Sequence, residues 1–304
     1  MAEIYRSAHA AVTIAAAENE RGELLRRSGR PAEAAEHFAR ALHTLAAAPE
    51  PDPGTHSAIL NNLALTAHER GELALAKRYL VRSLEVGPLV GDPVGRAITY
   101  DNLGVVEVEL ARQAGRAAPA HLAEAETRFA AAERLFRSAL PAAVDDYLRS
   151  VLNRADAAAL RGDTDRLDRL TRHAIELSTH HRVAPDNALD AITLRGGFLH
   201  RHRDHPRSAV DLMTARLPAL LPHCPAERTE AALGVLLRAA AATGDPDLVD
   251  DVAARMAELA GAGGGPGADG PARRNRRGDR RAAEPGATMA AQPPRSTARS
   301  TARS

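Results

Sequence analysis

Apolar residues recur at helical spacing from residue 2 to about residue 260, and no alternating β-branched run of strand length interrupts them. The pattern predicts helices throughout. Breakers cut it at regular intervals: Gly29 with Pro31, residues 49–54, Gly71, Gly87-Pro88, residues 91–95, Gly162, Pro185, Pro206, residues 222–225 and Gly244 with Pro246. Pro31, Pro206 and Pro246 stand where a helix should begin, the place at which a missing N–H costs least. The glycines can supply the positive φ that closes the preceding helix.

One phrase returns with these breakers. A turn glycine, Gly29, is followed at plus 5, plus 9 and plus 12 by Ala34, Phe38 and Ala41. The same offsets give Gly71, Ala76, Leu80 and Ser83, then Gly162, Leu167, Thr171 and Ala174, and more faintly Gly244, Val249, Ala253 and Met256. Such self-similarity marks stacked units that cannot bury their apolar faces alone. Gly29 to Gly71 is 42 residues, Gly162 to Asp204 is 42, and Asp204 to Gly244 is 40, with Asp204 standing in for a turn glycine. The 91 residues between Gly71 and Gly162 hold two units and an insertion at 113–121, the hidden unit showing as Asn102-Leu103-Gly104 and Ala125, Phe129, Ala132. Six helix pairs fit. Ala34, Ala76, Ala125 and Ala209 are read as points of close helix approach, and Phe38, Leu80, Phe129 and Met213 as fillers of the gap to the next unit.

Composition agrees with a thin helical array: aromatic residues are 3% of the chain and Trp is absent. Acidic and basic residues nearly cancel, 39 against 40, so the overall charge demands neither nucleic acid nor an acidic membrane. The balance hides an asymmetry. Residues 261–304 carry nine arginines against Asp269, Asp279 and Glu284. This Gly-, Pro- and Arg-rich stretch lacks the apolar residues of a core and is expected to be a disordered tail, separate from a solenoid over 1–260. Cys224 is the one cysteine, which excludes an intrachain disulfide and favours a reducing compartment. The first residues show no signal-peptide pattern and no stretch is apolar enough to span a membrane, so a cytoplasmic location is expected.

The repeated residues resemble the tetratricopeptide repeat family. Gly22, Leu25, Gly29, Ala34, Phe38 and Ala41 match its unit, as do Leu63, Ala64, Gly71, Ala76 and Pro88, and Leu103 with Gly104. The likeness covers about residues 15–260 and weakens in the last two units. The 40–42-residue spacing, with Asn62-Leu63-Ala64 and Asn102-Leu103-Gly104, is similar to the kinesin-light-chain type of these repeats found in actinobacterial regulators. The resemblance implies a right-handed superhelical solenoid, all-α, of about six antiparallel helix pairs. It also implies a concave groove, lined by the first helix of each pair, that holds a peptide or helix of a partner protein.

Within that frame a ladder stands out. Asn62, Asn102 and Asn153 occupy one offset in successive units and Arg195 the same offset in the next, with Asn61 and Asp101 one residue earlier. A side-chain amide both donates to and accepts from a peptide backbone, which suits groove contact; it equally suits bonding between neighbouring helices. His68 and Phe198 are secondary candidates on the same helices. The basic clamp that some family members close on a C-terminal carboxylate is missing, because Lys77, the one lysine, falls on a second helix.

Other constellations point away from chemistry. The cluster His200, His202, Asp204 and His205 is interleaved with Arg201 and Arg203, whose charge repels a cation, and it straddles a turn; no metal site is expected. Cys224 between His223 and Pro225 matches no catalytic cysteine pattern, and no phosphate-cradling glycine loop follows a strand. Asp145-Asp146 and Asp250-Asp251 are expected at helix starts or on outer faces. The arginine run at 273–281 has no interleaved aromatics, so specific nucleic-acid recognition is not expected. The sequence therefore reads as a protein–protein interaction scaffold without enzymatic activity or cofactor. Two alternatives are kept: a stand-alone or truncated sensory module of a transcriptional regulator, and an enzyme with a small-molecule groove.

Overall fold

The computed structural model describes residues 2–86 and 91–262. Twelve α-helices follow one another in the described residues, with no strand. They pair as α1 (Ala2–Arg27) with α2 (Pro31–Ala46), α3 (Pro53–Glu69) with α4 (Leu73–Val86), and α5 (Pro93–Gln113) with α6 (Ala118–Ser138). The second half continues as α7 (Val144–Arg161) with α8 (Thr164–His180), α9 (Pro185–His202) with α10 (Pro206–Leu220), and α11 (Ala226–Ala241) with α12 (Pro246–Ala262). The tail expected to be disordered lies outside the described residues, except that α12 takes in Gly261 and Ala262.

Local chemistry sets the helix ends. Asp52 accepts from the Thr55 N–H at 2.7 Å, Asp92 from the N–H groups of Val94 and Gly95 at 3.0 Å each, and Asp163 from that of Arg166 at 3.0 Å. Each satisfies a donor that the first turn leaves open. At the other end, Gly162 takes φ +74° and the Asp163 N–H reaches back to the Ala158 carbonyl, closing α7 in a left-handed cap. Asp204, which stands where the other units have glycine, adopts φ +52°, the one positive-φ non-glycine among the described residues. An aspartate tolerates this region better than most side chains.

The stacking follows from the contacts. First helices touch one another in succession, α1 to α3 to α5 to α7 to α9 to α11, while each second helix packs on its own first helix and on the next one. The row whose members touch directly lies on the inside of the curve. Inner-row helices are accordingly buried on several sides: α5 alone buries Thr99, Asp101, Asn102 and Glu107 among its apolar residues.

Close approach within a pair is enforced by volume. A Cβ on Gly22 would lie 2.6 Å from Cε1 of Phe38, and one on Gly104 would lie 2.5 Å from Cε1 of Phe129. Each ring thus sits directly on a glycine of its own first helix. This amends the sequence reading, in which these rings only fill the gap to the next unit; Phe38 does both, packing also with Ile59 and Leu63 of α3.

The insertion at 113–121 is not a loop. It lengthens α5 and α6 to 21 residues each, against 17 and 14 in the preceding pair. Its last residue anchors it: His121 Nδ1 lies 2.7 Å from Oε2 of the buried Glu107, whose Oε1 is ion-paired with Lys77 Nζ of α4 at 2.6 Å. The single lysine is thereby committed to an interior carboxylate.

Candidate functional site

The inner row carries the asparagine ladder. Asn62 Nδ2 donates to Asn19 Oδ1 at 2.9 Å, Asn102 Nδ2 to Asn61 Oδ1 at 3.4 Å, and Asn153 Nδ2 to Asp101 Oδ2 at 2.9 Å. Each bond crosses from one first helix to the one before it. The acceptors Asn19, Asn61 and Asp101 occupy one offset, and the donors occupy the next residue along. Three rungs therefore join α1, α3, α5 and α7 through the same pair of positions. Asn61 adds further ties, with its Nδ2 2.8 Å from Ser83 Oγ of α4 and 2.8 Å from Thr99 Oγ1 of α5.

The donors of the ladder are thus spent between helices. Among the described residues no donor meets the Oδ1 of Asn62 or of Asn102. Asn62 is partly exposed, whereas Asn102 and Asn153 keep only 6% and 7% of their surface. Asp101 is 5% exposed. Burial lifts its pKa to about 6, against the pull of Ser150 and Asn153, and Arg149 lowers it less than burial raises it. Its Oδ1 is buried without a partner of hydrogen-bonding geometry. A carboxylate kept from water in this way carries a real cost when ionised.

Arg195 stands off the ladder. In the earlier turns the cap N–H reaches back five residues, as from Asp163 to Ala158, but from His205 it reaches six, to Leu199. That extra residue rotates the counted offset by about 100° on the helix. Arg195 Nη1 instead meets Asp168 Oδ1 at 2.6 Å and Thr171 Oγ1 at 3.0 Å on α8, and its guanidinium lies 5.2 Å from the centre of the Phe198 ring. Burial would raise the Asp168 pKa, yet Arg195, Arg172 and Arg203 together hold it below the usual range. The two secondary candidates are both interior. Phe198 is 2% exposed beneath Arg195 and Arg203 and stacked with His202, and His68 is 2% exposed with a pKa lowered by burial.

Elsewhere the carboxylates knit helices together. Asp145 accepts from the Ala184 N–H and from Asn187 Nδ2, each at 2.8 Å, so it caps the following inner helix as well as starting its own. Nothing in the local pattern around Asp145-Asp146 signals that long-range role. Asp190, on α9, is paired with Arg228 of α11 at 2.6 Å; burial still raises its pKa to about 6, helped by Asp186. Cys224 is half-buried, and burial pushes its thiol pKa up, which leaves less thiolate. Among the described residues no group of three His, Cys, Asp or Glu side chains converges as a metal site would require.

Residues 13–88 match the sequence profile of the tetratricopeptide repeat family. The first two units are tetratricopeptide repeats. The fold extends the likeness along the rest of the solenoid. The crystal structure of a thermophilic TPR protein in Thermus thermophilus is 21% identical, with a TM-score of 0.52 over 75% of this chain and 98% of that one. The structure of pilF from Pseudomonas aeruginosa is 15% identical, with a TM-score of 0.55 over 82% of this chain and 93% of that one. No curated protein matches the sequence. The tetratricopeptide superhelix is typical of scaffolds that bind other proteins and is generally non-enzymatic. No described helix is long and apolar enough to cross a membrane.

Proposed function

We propose that this chain is a protein–protein interaction scaffold whose inner face, over units one to four, holds an extended segment or helix of a partner. The observation that carries the reading is the polarity of the ladder. Its amide hydrogens are used between helices, and the carbonyl oxygens of Asn62 and Asn102 remain to accept from a polypeptide backbone. The interhelical bonds hold those oxygens in fixed positions, so little ordering is needed on binding. The surface comprises Asn61, Asn62, Asp101, Asn102 and Asn153, with Arg195 outside it. Residues 1–260 form the binding body and the arginine-rich tail is an appendage to it. The chain is non-catalytic and works in the cytoplasm, where a lone cysteine is unproblematic. Service as the sensory module of a transcriptional regulator would use the same groove.

The test is a partner captured with the full chain from its host, followed by affinity measurement with two variants. Asn62→Ala with Asn102→Ala should weaken binding at least tenfold, about the loss of one or two hydrogen bonds at a desolvated contact. Glu124→Ala with Arg128→Ala, on the outer α6, should leave it unchanged. The opposite order of effects would sink the groove reading.

A further inference from the structure

α1 leaves open a face that the next inner helices bury. The offset shared by Asn19, Asn61 and Asp101 aligns Ala17, Arg21 and Leu24 of α1 with Ile59, Leu63 and Thr66 of α3 and with Thr99, Leu103 and Val106 of α5. In α3 and α5 these positions are all buried, and they take the second helix of the preceding pair. Ile59 and Leu63 pack with Phe38 and Leu45 of α2, and Leu103 and Val106 with Ala76 and Leu80 of α4. On α1 the same positions are exposed, Leu24 at 64%, and so is Ile14 at 53%, one turn before Ala17. A hollow of about 440 Å³ opens beside Ile14, bordered by Glu18, Ala39 and His43.

Composition argues against two occupants. The outer side of α12 exposes Asp247, Asp250, Asp251 and alanines, with no large apolar side chain exposed among its described residues. Such a polar face ends a stack, so copies joined head to tail would lack a matching surface. Residues 263–304 contain no Leu, Ile, Val or aromatic residue, so the tail has no apolar stripe to lay on α1. The face does match itself. Two copies laid antiparallel with residue 14 opposite 24 put Leu24 of each at the hollow beside Ile14 of the other. Arg21 then covers Ala17 of the second copy with its stem, about one turn from that copy's Glu20. Neither Glu20 nor Arg21 has an ion-pair partner among the described residues. Independently of the groove reading, we propose that the outer face of α1 is a docking surface for a second copy of this chain, in an isologous two-fold pair.

Sedimentation velocity of the full chain, from low to high micromolar concentration, tests this. The wild type should pass from monomer to dimer and stop there, because a two-fold contact closes on itself. Leu24→Ser should raise the dimer dissociation constant at least tenfold, and Ala17→Arg should do the same by bulk and by repulsion from Arg21. Both sites are exposed, so circular dichroism should show the helix content retained. Leu237→Ser, at an exposed leucine of α11, should leave dimerisation unchanged. A chain that stays monomeric overturns the proposal and leaves the face to a different protein. Species growing beyond the dimer overturn it in favour of head-to-tail contact, and a dimer indifferent to both α1 variants overturns it by placing the contact elsewhere.

Discussion

The first three helix pairs and the last three are built to one plan, and ion pairs such as Arg26–Glu69, Lys77–Glu107 and Arg203–Asp165 join helices in both, but the packing within the pairs and the links along the inner row differ. In units one and three an aromatic ring presses on a glycine, and neutral amides link the inner helices of units one to three. Phe38 meets Gly22, Phe129 meets Gly104, and Asn62 and Asn102 tie successive helices. In units four to six, the corresponding places hold Thr171, Met213 and ion pairs: Arg195 with Asp168, Arg203 with Asp165 and Asp168, Arg228 with Asp186 and Asp190. Rings on glycines demand one geometry, whereas methionine and long arginines adapt to several. The contrast explains why the repeat phrase is sharp early and blurred late. Where packing is rigid the residue types are forced, and where charges on long stems do the joining many sequences serve.

Substitutions can break that contrast, beginning with the largest. Phe129→Ala should cost about 3–5 kcal/mol by opening a cavity beside Gly104. Met213→Ala should cost less, about 2–3 kcal/mol, as its surroundings collapse more readily. Chemical denaturation of the two variants decides, and equal costs would erase the proposed difference in rigidity.

Next comes Asp101. Its folded pKa, about 6, lies above the ordinary 3.8, so the folded state holds this proton more tightly than the unfolded chain. The stability it contributes is fully present below pH 3.8 and is lost as pH rises through 6. Asp101→Asn should therefore stabilise the chain at pH 8, by roughly 2–3 kcal/mol, and by nothing at pH 3.5. Melting curves across that range check the sign. A variant less stable at pH 8 would show that the ionised carboxylate is well compensated.

Smaller effects follow. Gly104→Ala should cost about 1–3 kcal/mol by driving a methyl group into the Phe129 ring. Gly196→Ala faces the thioether of Met213, which can move, and the helical gain of alanine over glycine should bring the change close to zero. Last, Asn62→Ala should cost about 1 kcal/mol, the net worth of one interhelical bond. Arg195→Ala should cost about as much while freeing Asp168, whose pKa, measured by NMR, should rise.

How much of this was legible from the chain depends on the range over which each residue acts. Gly29, Gly71, Gly162 and Gly244 announce the turns because a left-handed backbone is a local demand, and Asp204 was counted into the series by spacing alone. The shared offset of Asn62, Asn102 and Asn153 put them on one helix face, since periodicity maps sequence onto face. The partners of those amides were not legible. Asn19 shares its offset with Asn61 but the offset does not say which amide it meets, and Arg195 fell out of line through a single extra residue in a turn, which no spacing count reveals. Asp145 capping a helix 39 residues away, and Lys77 reaching Glu107, are equally silent in the local pattern.

The sequence by itself determined the helices, their pairing, the number of units and the face on which the ladder lies. These rest on local backbone preference and on the repeat of buried positions. Only the tertiary structure decided where the ladder's hydrogens go, that Arg195 leaves it, and that Asp101 is the one charged rung with an oxygen left over. Hydrogen-bond partners and desolvation depend on distances of a few ångströms between segments some 40 or 50 residues apart, and no local pattern encodes those.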